Sequence, residues 1–93
     1  MLEKDVERLL VKGIKELGGV AYKFVSPGNS GVPDRVVVLP DGMVIFVELK
    51  TNTGRLSAIQ TRQIVRLEQL GCEVRVLYGA EDVKDFLERL KAR

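Results

Sequence analysis

Apolar residues recur along the chain with two different periods, and the alternation of those periods predicts the fold. Leu2, Val6, Leu9, Leu10, Gly13, Ile14 and Leu17 return every three or four residues, the spacing of one helix face. Gly18-Gly19 then supplies a stop. Val20 to Val25 has the mixed character of a strand. Ser26 to Pro33 (SPGNSGVP) is a run of turn formers and predicts a loop. Arg35 to Leu39 and Met43 to Leu49 are β-branched runs separated by Pro40-Asp41-Gly42, which predicts a tight hairpin. Thr51 to Leu56 predicts a loop. Ser57 with Gln60 three residues on fits a capping box, opening a helix that runs to Leu70. Val74 and Val76 flank Arg75 in a strand over Cys72 to Leu77. Val83, Phe86, Leu87 and Leu90 line one face of a last helix, about Glu81 to Lys91. The order α-β-β-β-α-β-α predicts an α/β fold: a mixed central sheet flanked by helices.

The 93 residues predict a single domain spanning 1–93. A core of this size is thin, so a homodimer that hides more surface is expected. No stretch is apolar for long enough to cross a bilayer, there is no signal peptide, and the one cysteine, Cys72, has no internal partner. These features predict a cytoplasmic protein, inside a prokaryote or a virus-infected host cell, without membrane partners. A net charge of +2, from 15 basic and 13 acidic residues, hints only weakly at nucleic acid. The lack of histidine says more. It removes the commonest general base and transition-metal ligand, and every Ser-His-Asp or Cys-His arrangement. Chemistry here falls to carboxylates, lysine, hydroxyls or a hard metal ion.

Such a set is present. Residues two apart in a strand share a face, so Glu48 and Lys50 point together while Leu49 points into apolar packing. The position of Asp34 depends on the hairpin. A three-residue loop at 40–42 sets Leu39 opposite Met43 and, counting back, Asp34 opposite Glu48 on the same face. A two-residue loop would send Asp34 to the other side. Adjacent carboxylates repel unless a cation lies between them. Lys50 is one such cation. A Mg²⁺ ion, which takes hard oxygen ligands, is another, and it can polarise a phosphoryl oxygen. On the first helix, Glu3 falls within the stripe of Val6, Leu10, Ile14 and Leu17, where an acid needs a partner. Glu7 and Asp5 lie nearer its edges. Gln60 shares a stripe with Ile64 and Leu67. It is either a plain capping residue or an inward amide that serves the site.

The series Gly31-Val32-Pro33-Asp34, the hairpin, Glu48-Leu49-Lys50, and Gly54-Arg55-Leu56-Ser57-x-x-Gln60 resembles the VRR-Nuc (virus-type replication-repair nuclease) family of the PD-(D/E)xK superfamily. The resemblance covers nearly the whole chain and includes Tyr22-Lys23 before the loop. It implies a restriction-endonuclease-like core and a Mg²⁺- or Mn²⁺-dependent endonuclease that hydrolyses DNA phosphodiester bonds. The expected substrates are duplex or branched DNA such as Holliday junctions, in replication, repair or recombination, and the expected assembly is a homodimer. Carried over, it implies that Glu3, Asp34, Glu48 and the Leu49 carbonyl bind metal. Asp34, Glu48 and Lys50 would be catalytic, with Gln60 supporting them. No small-molecule cofactor is implied.

Lys23, Arg35, Arg55, Arg62 and Arg66 are candidate phosphate contacts, with a plain solvated charge the alternative for each. Few aromatic residues disfavour base stacking on single strands. A non-catalytic DNA- or replication-protein-binding module on the same fold is the competing expectation. Clustered acids facing a polyanion argue against it.

Overall fold

In a computed structural model, residues 2–93 are described. They form α1 (Glu3–Glu16), β1 (Val20–Lys23), β2 (Arg35–Val38), β3 (Val44–Lys50), α2 (Ala58–Gln69), β4 (Glu73–Tyr78) and α3 (Gly79–Lys91). The element order and the mixed sheet are those expected from the periodicity. The strands lie in the order β1-β2-β3-β4. The first two pairings are antiparallel, and β3 runs parallel to β4 with α2 as the crossover between them. Boundaries differ from the expectation by a residue or two. The largest shifts are at β1, which ends at Lys23, and at α3, which begins at Gly79. There the Tyr78 N–H donates to the Asp82 carboxylate at 2.8 Å, so the last helix starts directly off the strand.

The hairpin between β2 and β3 has a three-residue loop. The Leu39 N–H donates to the Met43 carbonyl at 3.0 Å, and the Gly42 N–H to the Leu39 carbonyl at 2.8 Å. Gly42 takes φ 86°, the left-handed position such a loop requires. The Asp41 carboxylate steadies it by accepting from the Met43 N–H at 3.1 Å. The pairing that follows, from Val38 with Val44 to Arg35 with Val47, carries on to Asp34 beside Glu48.

The two faces of the sheet differ. On one, Val6, Leu10 and Ile14 of α1 and Val83, Phe86 and Leu87 of α3 pack on Ala21, Val37, Ile45, Val47, Leu49 and Leu77. This is the main core, and its strand residues alternate as period 2 demands. The other face carries Phe46, Glu48 and Lys50 of β3 with their neighbours. Only α2 covers it, with Ile64 and Val74 buried on the β4 side. Among the described residues, no helix is long and apolar enough to cross a membrane.

Candidate active site

The α2-covered face gathers three of the side chains that the sequence singles out. Glu48 is 2% exposed, the one buried charged residue among those described. It lies on the α2-covered face of β3, while its neighbours Val47 and Leu49 point into the core on the other. Lys50, two residues on, holds its Nζ 3.5 Å from Glu48 Oε2. Asp34 stands at the head of β2, and its Oδ2 accepts from the Leu49 N–H at 2.9 Å. That bond ties the Asp34 carboxylate to the strand that carries Glu48.

Gln60 joins from the first turn of α2. Its side chain does two things at once. The Oε1 accepts from the Ser57 N–H at 2.9 Å, while the backbone N–H donates to Ser57 Oγ at 3.1 Å, which completes the capping box. The same amide turns its Nε2 to Glu48 Oε2 at 3.0 Å. Because Oε1 must face the Ser57 donor, the NH₂ must face the carboxylate. One side chain therefore both caps α2 and binds Glu48.

Burial pushes the Glu48 carboxyl up to about 7, and the neighbouring Asp34 charge adds to the shift; Lys50 and the Asp34 backbone N–H pull the other way. Its Oε1 is buried with no hydrogen-bond partner. A buried, unpaired carboxylate oxygen beside a second acid is costly unless a proton or a cation reaches it. The donor set of Asp34 and Glu48 thus fits a hard divalent ion.

Two expected site residues lie elsewhere. Glu3 is exposed. The stripe it continues begins its burial only at Val6, because the first turn of α1 projects past the core. Among the described residues, no three acids or cysteines are gathered as a metal cluster, so the three-acid cluster expected from Glu3, Asp34 and Glu48 is not formed. Arg35 is the second correction. It pairs with Val47 and so lies on the face of α1, opposite the site. Its guanidinium binds Glu7 Oε1 at 2.5 Å and the Ala21 carbonyl at 3.1 Å. It is an internal strut between α1 and the sheet rather than a free phosphate ligand. Glu7 is correspondingly taken up by Arg35.

Lys23, Arg55, Arg62 and Arg66 are all exposed, and none enters an ion pair among the described residues. Lys23 is the cross-strand partner of Arg35, which sets it on the α1 side at the end of β1. Arg55 precedes α2, and Arg62 and Arg66 lie one turn apart on it. One contact escaped the sequence: Gln63 Nε2 donates to the Ser30 carbonyl at 3.1 Å. The only signal for it is its place one turn after Gln60.

The chain is similar to known proteins in sequence and in fold. The sequence profile of the VRR-NUC domain matches residues 5–81. Protein p44 of Acyrthosiphon pisum secondary endosymbiont phage 1, named as a nuclease, is 46% identical over 85 residues, covering 91% of this chain and 90% of that protein. A solved VRR-NUC domain superposes with a TM-score of 0.87 at 31% identity, over 92% of this chain and 94% of the other. A second VRR-NUC domain protein gives a TM-score of 0.75 at 14% identity, over 96% and 87%, a likeness of fold.

Proposed function

The chain belongs to the VRR-NUC domain family of nucleases, and from the geometry of its site we propose that it is a divalent-metal-dependent DNA endonuclease. The observation that carries the reading is the buried Glu48, with one oxygen unpaired and Asp34 and Lys50 beside it. Asp34 and Glu48, with the Leu49 carbonyl, would hold a Mg²⁺ or Mn²⁺ ion. When bound, such an ion supplies Lewis-acid polarisation of a phosphoryl oxygen.

The chain's own groups supply the rest. Gln60 holds the Glu48 carboxylate by its Oε2 and leaves Oε1 for another partner. The Leu49 N–H fixes the Asp34 carboxylate. Lys50, 16% exposed in its side chain, presents an ammonium group at the mouth of the site. There it neutralises charge that develops on the phosphoryl oxygens or orients the attacking water. Arg55, Arg62 and Arg66 extend positive charge along the α2 side and would contact backbone phosphates. Such contacts favour shape over base sequence, which suits branched DNA such as a four-way junction.

A homodimer fits the surface. The accessible area is 6047 Å², against about 5,400 Å² for a monomeric protein of this mass. The excess approaches the share of one partner in an ordinary interface, about 800 Å². The apolar rows Val20-Val38-Val44 and Tyr22-Val36-Phe46 leave Tyr22 62% and Val44 43% exposed. A second copy on this face would set two sites near two strands of a junction.

The test is cleavage of a four-way junction and a linear duplex with Mg²⁺, Mn²⁺ or EDTA. Metal-dependent cutting with preference for the junction is expected. Asp34→Asn and Lys50→Ala should each slow cutting at least a hundredfold without unfolding the protein. Undiminished cutting in EDTA, or by both variants, would overturn the reading.

A further inference from the structure

The loop from Ser26 to Pro33 ends at Asp34, and it does not stand away from the fold. Gly31 lies against the first turn of α2. A Cβ built there would sit 3.0 Å from the Ile59 carbonyl carbon and oxygen and 3.1 Å from the Gln60 nitrogen, tighter than most side chains pack, so that the backbone of the turn would have to give way. Gly31 also takes φ 85°, which favours glycine. Beside it, Gln63 Nε2 holds the Ser30 carbonyl at 3.1 Å. Pro33 is fully buried, so little slack is left between this seat and Asp34.

The contacts close a ring. Asp34 is bound to the Leu49 N–H, and Leu49 adjoins Glu48. Glu48 is bound by Gln60, and the Gln60 backbone abuts Gly31, three residues before Asp34. Each acid is thus located by the element that carries the other's support.

We infer that the seat of Gly31 on the Ile59-Gln60 turn, clamped by Gln63, is the joint that sets the Asp34 carboxylate against the Glu48–Gln60 pair. Gly31 and Gln63 are positioning residues: both act through Asp34 and Gln60. The catalytic consequence rests on the nuclease reading above, while the geometric consequence does not.

Gly28 offers a control within the same loop. It has nearly the same dihedral, φ 82°, yet nothing lies within 4 Å of its would-be Cβ. Gly28→Ala therefore carries the backbone strain alone, and Gly31→Ala carries strain plus the lost seat. Gln63→Ala removes the clamp without strain.

The experiment measures kcat and KM for junction cleavage with Mn²⁺, the melting temperature, and the amide resonance of Leu49 in a ¹H–¹⁵N spectrum. That resonance reports the Asp34 hydrogen bond whether or not the protein cuts. Gly31→Ala should lower kcat at least tenfold and Gln63→Ala about threefold, with KM held within twofold and the Leu49 amide displaced in both. Gly28→Ala should match the wild type in kcat and in the Leu49 amide. If Gly31→Ala and Gly28→Ala behave alike, or if the Leu49 amide stays in place in both Gly31→Ala and Gln63→Ala, the joint is refuted. A wild-type protein that does not cut would refute the nuclease reading instead, and the Leu49 amide would still decide the joint. Should Gly31→Ala fail to fold, Gln63→Ala decides it by the same amide and rate.

Discussion

A carboxyl group held between a second acid and an ammonium, with one oxygen unpaired, takes its stability from whatever neutralises it. Glu48 is in that position, with its pKa raised from 4.5 to about 7. The fold therefore holds a proton there that the unfolded chain has already released. Between about pH 4.5 and 7 the unfolded state binds fewer protons, so this group's contribution falls as pH rises, and it is spent above 7. Glu48→Gln, isosteric and neutral, should escape that loss. At pH 8 it is expected to be about 1–3 kcal/mol more stable than the wild type, with the gap closing toward pH 4.5 and shrinking when Mn²⁺ is added. Chemical denaturation across pH, with and without Mn²⁺, measures it. A gap independent of pH would mean that Glu48 titrates normally. Much of this chemistry was legible in the bare residues, because period 2 alone puts Glu48 and Lys50 on one side of a strand. Glu3 and Arg35 lie away from their expected places for a common reason. Periodicity tells which way a side chain points but not where the opposing surface ends, nor which acid reaches across to take up a charge.

At the scale of elements, two short pieces of local chemistry do the placing. The Pro40-Asp41-Gly42 turn fixes register, and one residue fewer would have turned Asp34 to the wrong face. That much follows from turn chemistry, which is why the pairing of Asp34 with Glu48 could be expected from sequence. The Ser57-Gln60 capping box begins α2 and also delivers an amide to Glu48. Sequence presents the cap and the site as alternatives because the direction of the Gln60 NH₂ depends on a strand twelve residues away. Ser57→Ala should therefore do more than weaken a helix end. It is expected to cost about 1 kcal/mol of stability and, by freeing Gln60, to slow cleavage as well. Parallel denaturation and rate measurements would show both, and a loss of stability with full activity would mean that Glu48 holds Gln60 without help. The seat of Gly31 on α2 was beyond sequence reasoning altogether, since closeness between two backbones leaves no mark but a glycine.

For the whole molecule, the division of labour between the two sheet faces matters most. The α1–α3 face is the apolar core, whereas the α2 face gathers Asp34, Glu48 and Lys50 and keeps apolar rows in contact with water. A solution mass of about twice the 10.4 kDa chain is expected. Tyr22→Glu, which puts a charge in the middle of the exposed rows, should shift the protein to monomer at the same concentration while the folded signal persists. Light scattering with circular dichroism tests this. A wild-type monomer at tens of micromolar would leave those rows without the partner assigned to them.

The opposed faces also bear on how such a protein can change. A residue that alters which nucleic acid is gripped and a residue that keeps the chain folded sit back to back, one pleat apart, and seldom touch the same neighbours. Substitutions of the exposed Arg55, Arg62 and Arg66 on the α2 side should leave thermal tolerance nearly untouched. Gains in hardiness made between α1 and α3 should carry over to variants with new preferences.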